Sequence, residues 1–574
     1  MKPYFGLRGS SLNIMISIIA GLDFLYAGTL LFKKYQKLIK FYIDYLVMTI
    51  SLTLNRGVMG GLLTLNSFVT VFPEIDTTHS SSSTSTNSTT QGITTASYNL
   101  GCFFGAIFCI WIGNYLGRRK TIFTGSIIMI VGATLQACAY SLPHLIVGRI
   151  VTGIGNGMNT STVPTWQSEC SKSHHRGQLV MLEGSLIAAG ITISYWIDLG
   201  FSFLDPSSVA WRFPIAFQNA FALIILIFVL PLPESPRWLI LKGREEEAVE
   251  VLAAILDLDE RDPYVHSEFS AIKDAVLEAS AVSFRDLFTM DEDRHFHRVV
   301  LAYVNQMFQQ ISGINLITYY AATIYESIGM DGLTSRILAA CNGTEYFLAS
   351  LIPIFIIEKV GRRLLMLIGA AGMSISMAVL AITTSFEGNS QAGIAAAVFL
   401  FVFNTFFALG WLGMTWLYPA EIVPLRIRAP ANALATSGNW IFNFMVVMIT
   451  PVAFDSIKYK TYIIFAVINA FIFPVIYFFY PETAYRSLEE MDTIFHKTSS
   501  VFNVVSVARQ EPHRYGKNGE LLINYEDTEE HLRRASYVSD KPKSKMVSPT
   551  GDLETGKGTH VEHRKGSASA SDSN

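Results

Sequence analysis

Gln309, Gln310, Ser312 and Asn315 interrupt an otherwise apolar run, QMFQQISGINLITYY. Amide side chains donate and accept hydrogen bonds at once, which is the chemistry a polyhydroxylated molecule requires. The same groups serve as glue between membrane helices, and residue type alone leaves both readings open. Three charges stand inside other apolar runs: Arg149 in VGRIVTGIGNG, Glu183 beside Gly184, and Glu345 beside Tyr346. Carboxylates in lipid are costly, so Glu183 and Glu345 are candidates for binding a hydroxyl or carrying a proton. An ion pair or a water-filled cavity is the alternative for each. A third set joins Gly117, Arg118 and Arg119 to Glu169 and Arg176, and Arg362 and Arg363 to Glu421. No GxxxxGK[ST] loop is present, so an ATP-driven pump is not expected. Nothing suggests an enzyme, and neither a cofactor nor a metal is expected.

These groups need helices in a bilayer to position them. Of 574 residues, 50% are hydrophobic and only 16% charged, well below the roughly 25% of a soluble protein. The net charge of −3 offers no footprint for nucleic acid. Apolar runs long enough to cross about 30 Å of hydrocarbon recur, predicting an all-α membrane protein with about twelve spans. The five cysteines are odd in number and lie in or beside apolar runs, so no disulfide framework is implied. No cleavable signal peptide is expected.

The chain also repeats. IGNYLGRRKTIFTGS is answered by IEKVGRRLLMLIGA, and LPESPRW by YPETAYRS. Two six-helix halves follow, 1–232 and 297–480, with a substrate site expected between them near the midplane. An amphipathic helical linker, 233–296, separates them, and a mostly disordered tail, 481–574, ends the chain. The basic turns at Gly117 and Gly361 should face the cytoplasm, with both termini. Their arginines could latch the two halves in one conformation, or only anchor topology. The loop DTTHSSSSTSTNSTTQ has no Lys or Arg and should face outward, with Asn87 as a glycosylation acceptor.

In order, GNYLGRRK, GRIVTGIGNG, PTWQSE then RG, PESPRW, QQISGIN, EKVGRR, PAEI then RIRA, and PETAYRSLEE resemble the sugar porters of the major facilitator superfamily. The wording is most similar to fungal monosaccharide transporters, near the fungal glycerol symporters. The resemblance implies sugar contacts at Gln309, Gln310 and Asn315, with Tyr319 and Tyr320 closing over the sugar from outside. It adds Phe407, Trp416 and Asn439, and less firmly Trp440. Arg149 matches the family arginine that faces an aspartate of the first span in proton-coupled members. Two positions depart from the pattern: Tyr346 stands where an Asn is usual, and Gly184 where a Gln is usual.

The first span departs further. Before Gly57-Val58-Met59-Gly60-Gly61 the family pattern has Gly-Tyr-Asp-Gln; here Leu54-Asn55-Arg56 precedes, so the expected carboxylate is missing. Residues 27–56, rich in Ile, Lys, Tyr and Leu, are set apart as foreign to the fold, either a gene-model error or a real insertion. The expectation is a monomeric plasma-membrane protein that carries a monosaccharide with protons by alternating access. A glycerol or polyol symporter and a sugar uniporter are rivals, as are a non-transporting sugar sensor and a nonfunctional product.

Overall fold

The computed structural model describes residues 57–77, 84–170, 176–256, 258–280, 284–291, 293–386, 388–424, 427–486 and 488–513. The segment 27–56, with Asn55, and the chain beyond 513 lie outside the described residues. Two short helices come first, α1 (57–62) and α2 (Asn66–Val71). The first half continues through α3 (Thr84–Leu116), α4 (Arg118–Ala137), α5 (Leu142–Cys170), α6 (Arg176–Ser202) and α7 (Val209–Val229). The linker folds as α8 (Pro236–Leu241), α9 (Glu245–Leu256) and α10 (Pro263–Ser280). The second half comprises α11 (His295–Gln309), α12 (Asn315–Ser327), α13 (Gly332–Val360), α14 (Arg362–Thr384), α15 (Ser390–Gly410), α16 (Met414–Ile422), α17 (Arg428–Ile457) and α18 (Lys460–Phe479). Then come α19 (Leu488–Lys497) and α20 (Val504–Gln510).

Among the described residues, nine helical stretches are long and apolar enough to cross a membrane. The expected spans outside that set are 57–71, α5, and α11 with α12. Polar content and a break account for the last two. α5 carries Arg149, Asn156 and Asn159, all buried. The α11–α12 span is divided by a π turn, Gln310–Ile314, with Gly313 at φ 103°. Helices with polar groups on an inward face lose mean hydropathy without losing their place in a bundle.

Within the first half α4 packs on α5 and α7, and α3 on α5. In the second, α14 packs on α15 and α18, and α13 on α15. The halves meet through α3 against α17 and α6 against α13, the second and fifth spans of each. That reciprocal pairing is the pseudo-twofold arrangement the repeated motifs predict. Small residues let the chains approach: Gly92 of α3 abuts the Met448 carbonyl, and Thr192 of α6 donates to the Gly343 carbonyl at 2.7 Å.

Two expectations change. The loop expected to face outward is shorter than the run from Asp76 to Gln91, because α3 begins at Thr84. Asn87 therefore lies on a helix, with its Nδ2 donating to the Asp76 carbonyl at 2.8 Å. The chain after 480 also stays ordered for longer than expected: α19 and α20 bury Met491, Ile494, Phe495 and Val504. Their apolar residues recur at helical spacing, so they have a face to bury even though the segment is polar on average.

Among the described residues, Ser235, Asp331 and Asn389 cap helix starts with their side chains. Asn389 accepts from the Gln391 and Ala392 amides at the start of α15. Asn389→Ala should cost about 1 kcal/mol, visible as a lowered melting temperature of detergent-purified protein with transport retained. An unchanged melting temperature would show that this cap adds nothing.

Candidate functional site

A cavity of about 50 Å³ lies between the halves. The first half lines it with Thr160 and Pro164 of α5 and Glu183, Ile187 and Ile191 of α6. The second half supplies Gln309, Gln310, Ile314, Asn315, Thr318, Tyr346, Phe407, Leu412, Trp416, Asn439 and Trp440.

The π turn assembles the polar wall. In an α-helix residues 310 and 315 point apart; a turn with i→i+5 spacing brings them to one face. Asn315 Nδ2 donates to Gln310 Oε1 at 2.6 Å, and Gln310 Nε2 donates to Gln309 Oε1 at 2.8 Å. Asn439 Nδ2 reaches Gln306 Oε1 at 2.6 Å and Gln309 Oε1 at 3.0 Å. Gln309 Nε2 is spent on the Trp411 and Leu412 carbonyls, which lie where α15 ends. The break at Gly313 is compensated in turn: Asn469 of α18 donates to the Ser312 carbonyl at 2.8 Å. The result is a chain of amides whose donor directions are set. Among the described residues Asn439 Oδ1 and Asn469 Oδ1 are buried without a hydrogen-bond partner, and of the two only Asn439 lines the cavity. On α5, Pro164 removes the intrahelical donor for the Thr160 carbonyl, and both residues face the cavity.

Six of the eight expected substrate residues share this wall: Gln309, Gln310, Asn315, Phe407, Trp416 and Asn439. Tyr319 and Tyr320 do not line it. They are fully buried beside it, Tyr319 donating to Asn99 Oδ1 at 3.1 Å and Tyr320 to the Val447 carbonyl at 2.9 Å. Tyr319 thus bonds across to the first half, and Tyr320 within the second. Of the candidate charges, only Glu183 reaches the cavity. Glu345 faces a separate groove with Trp196, Cys341 and Thr344, where it accepts from Thr405 Oγ1. Arg149 is buried and donates to the Thr95 carbonyl at 2.8 Å. Among the described residues no carboxylate pairs with it.

Further cross-half contacts flank the cavity. At one end Gly60 packs on the Thr318 and Tyr319 carbonyls, and the Tyr195 hydroxyl donates to Thr318. At the other, Gly184 of α6 meets Gly413, and Ser185 donates to the Ser350 carbonyl at 2.8 Å.

The basic turns are built alike. Gly117 and Gly361 adopt φ 84° and 89°, a region that suits glycine. A Cβ at either would also meet a carboxylate, Glu234 Oε2 at 2.8 Å or Glu482 Oε2 at 2.6 Å. Glu234 accepts from the main-chain amides of Arg118 and Arg119, and Glu482 from those of Arg362 and Arg363. Arg118 forms a two-pronged pair with Glu169 at 2.9 Å. Arg362 pairs with Glu421 at 3.0 Å and Glu358 at 2.7 Å. Arg363 donates to the Tyr477 carbonyl. Arg176 starts α6, and its side chain is outside the described residues. The latch between halves is thus corrected: Arg118–Glu169 and Arg362–Glu421 each lie within one half. The reason is topological, since each pair joins the start of one span to the end of the next within the same repeat. Glu234 and Glu482 escaped the sequence reading, although PESPRW and PETAYRS carried the signal.

The family model "Sugar (and other) transporter" matches residues 46–495. The match begins inside the segment 27–56, so residues 46–56 fall within the family's range. The chain is 42% identical to the sugar transporter STL1 of Saccharomyces cerevisiae over 77% of its length and 78% of that protein. It is 36% identical to the MFS-type transporter oryC of Aspergillus oryzae, over 94% and 95% of the two chains. A quinate permease of Neurospora africana is 30% identical over 72% of this chain and 81% of its own. In fold, the chain is similar to the xylose transporter XylE from E. coli in a partially occluded inward-open conformation. That structure has a TM-score of 0.65 at 23% identity and covers 77% of this chain and 97% of its own. Family match, relatives and fold agree, and the chain belongs to the sugar porter family of the major facilitator superfamily, a family of transporters and not of enzymes.

Proposed function

We propose that this transporter carries a monosaccharide across the plasma membrane by alternating access, with protons as the coupled ion. The observation that carries this reading is the amide wall between the halves, with Asn439 Oδ1 left as a buried acceptor for a hydroxyl donor. Phe407 and Trp416 offer flat apolar faces on the same cavity, suited to the C–H face of a sugar. The intra-half ion pairs keep each half stiff, so that the halves rock as bodies around the cavity. The basic turns face the cytoplasm in this reading.

Glycerol or a similar polyol is the second reading, because the same amide wall answers the hydroxyls of any polyhydroxylated solute.

Uptake of labelled glucose, xylose and glycerol by transport-null cells, with and without a protonophore, tests both readings. Asn439→Ala should reduce kcat/KM by about five- to thirty-fold, since one hydrogen bond to a hydroxyl is worth about 1–2 kcal/mol. Uptake of none of the three solutes, or an Asn439→Ala variant equal to wild type, would overturn the assignment of this cavity. Uptake unaffected by the protonophore would reject proton coupling.

A further inference from the structure

Asp198 is a carboxylate inside the α6 span, 3% exposed, and among the described residues no side chain hydrogen-bonds to either oxygen, the Gly61 main chain being its one hydrogen-bonding neighbour. It does not line the cavity. Its side chain points at α1, where a Cβ on Gly61 would lie 2.6 Å from Oδ2. α1 thus presents main chain, and no charge, to this carboxylate. Tyr195, one turn earlier on the same face of α6, is the titratable neighbour. On α13, Arg336 is committed to Thr64 and Glu345 to Thr405. Asp205, at the end of α6, accepts from the Ser67 amide. No cation among the described residues pairs with Asp198.

The place matters as much as the burial. α1, α6 and α12 converge here: Gly60 abuts the Thr318 and Tyr319 carbonyls, and Tyr195 donates across to Thr318 of the opposite half. Thr318 in turn lines the cavity. Closing this end strips water from Asp198, and an ionised carboxylate with no side-chain partner in such a setting is strongly disfavoured. The closed arrangement therefore accommodates the neutral acid. Opening this end hydrates the group and lets it exchange its proton with that side.

We propose that Asp198 is the proton-carrying residue of transport. It takes one proton from the outer side when this end is open, becoming a carboxylic acid. It releases that proton to the other side by way of the cavity, past Tyr195 and Thr318, and no other bond changes. This rests on the transport reading above.

The test uses the full chain purified into liposomes, with labelled glycerol and labelled glucose as probes and an imposed pH gradient. A one-unit gradient should drive about tenfold accumulation in wild type if one proton is coupled. Asp198→Asn, which mimics the neutral acid, should lose this accumulation and keep counterflow of the same label. Asp198→Ser should behave alike. Gradient-driven accumulation that survives in either variant overturns the proposal. So does loss of counterflow in both, which would assign Asp198 to packing or to solute passage. Wild type that shows counterflow without accumulation removes the proton and leaves transport standing. Wild type without counterflow of either label overturns the transport reading itself.

Discussion

Gly157→Val is expected to abolish recovery of folded protein. A Cβ at Gly157 would overlap the Cys102 carbonyl oxygen, and one at Gly153 the Tyr98 carbonyl. From the facing helix, Gly101 and Gly105 meet the Ile150 and Ile154 carbonyls in the same way. α3 and α5 therefore touch backbone to backbone along two turns. Overpacking a core normally costs about 1–3 kcal/mol because side chains shift to make room. Here the obstacle is main chain on both sides, which has no rotamer to change, so the cost should exceed that range. In a bilayer such close approach is also a principal source of helix association, because lipid tails compete with apolar side chains. Size-exclusion profiles of detergent extracts provide the check: Gly157→Val should show no monodisperse peak. A normal peak would mean that α3 and α5 are not packed at this distance.

The second large effect is at Arg362. Its guanidinium holds Glu421, whose side chain is 16% exposed, and Glu358, which is 38% exposed. Thr483 Oγ1 donates to Glu421 at 2.6 Å as well. Arg362→Ala leaves Glu421 buried without its cation, a change that costs about 3–5 kcal/mol when one partner of a buried pair is removed. Arg362→Lys should recover only part of this, because an ammonium cannot make the forked contact. Glu358→Ala, at the solvated side of the same arginine, should cost less than about 1 kcal/mol. Melting temperatures of the three purified variants should rank Ala lowest at 362, Lys between, and Glu358→Ala near wild type. Equal effects of Arg362→Ala and Glu358→Ala would show that burial does not set the strength of these contacts.

Both predictions concern features the sequence displayed unequally. EKVGRR and GNYLGRRK stand out as basic turns because positive charge between apolar runs is conspicuous. What they bind was less visible. Arg118 reaches Glu169 and Arg362 reaches Glu421 inside their own halves, and the capping carboxylates Glu234 and Glu482 arrive from more than a hundred residues away. The glycines of α3 and α5 were legible one helix at a time, yet nothing in either run states which helix the other packs against. Asp198 shows the same limit. A lone carboxylate in an apolar run was there to be found, but its significance lies in having no side-chain partner among the described residues where three helices converge.

The all-helical membrane fold, the two-fold repeat and the family were determined by the sequence itself, because bilayer thickness imposes a length on every apolar run and the repeat is written in local motifs. The amides that line the candidate cavity, Gln309, Gln310, Asn315 and Asn439, were visible there too as polar residues in apolar runs. Tertiary structure decided how those amides connect. A π turn at Gln310–Ile314 puts Asn315 against Gln310, and tertiary packing leaves Asn439, a cavity-lining residue, with a buried Oδ1 that no described residue satisfies, and buries Tyr319 and Tyr320 beside it. Helical periodicity predicts which residues share a face only while the helix stays regular. At this site it does not, and hydrogen-bond partners come from four helices distant in sequence.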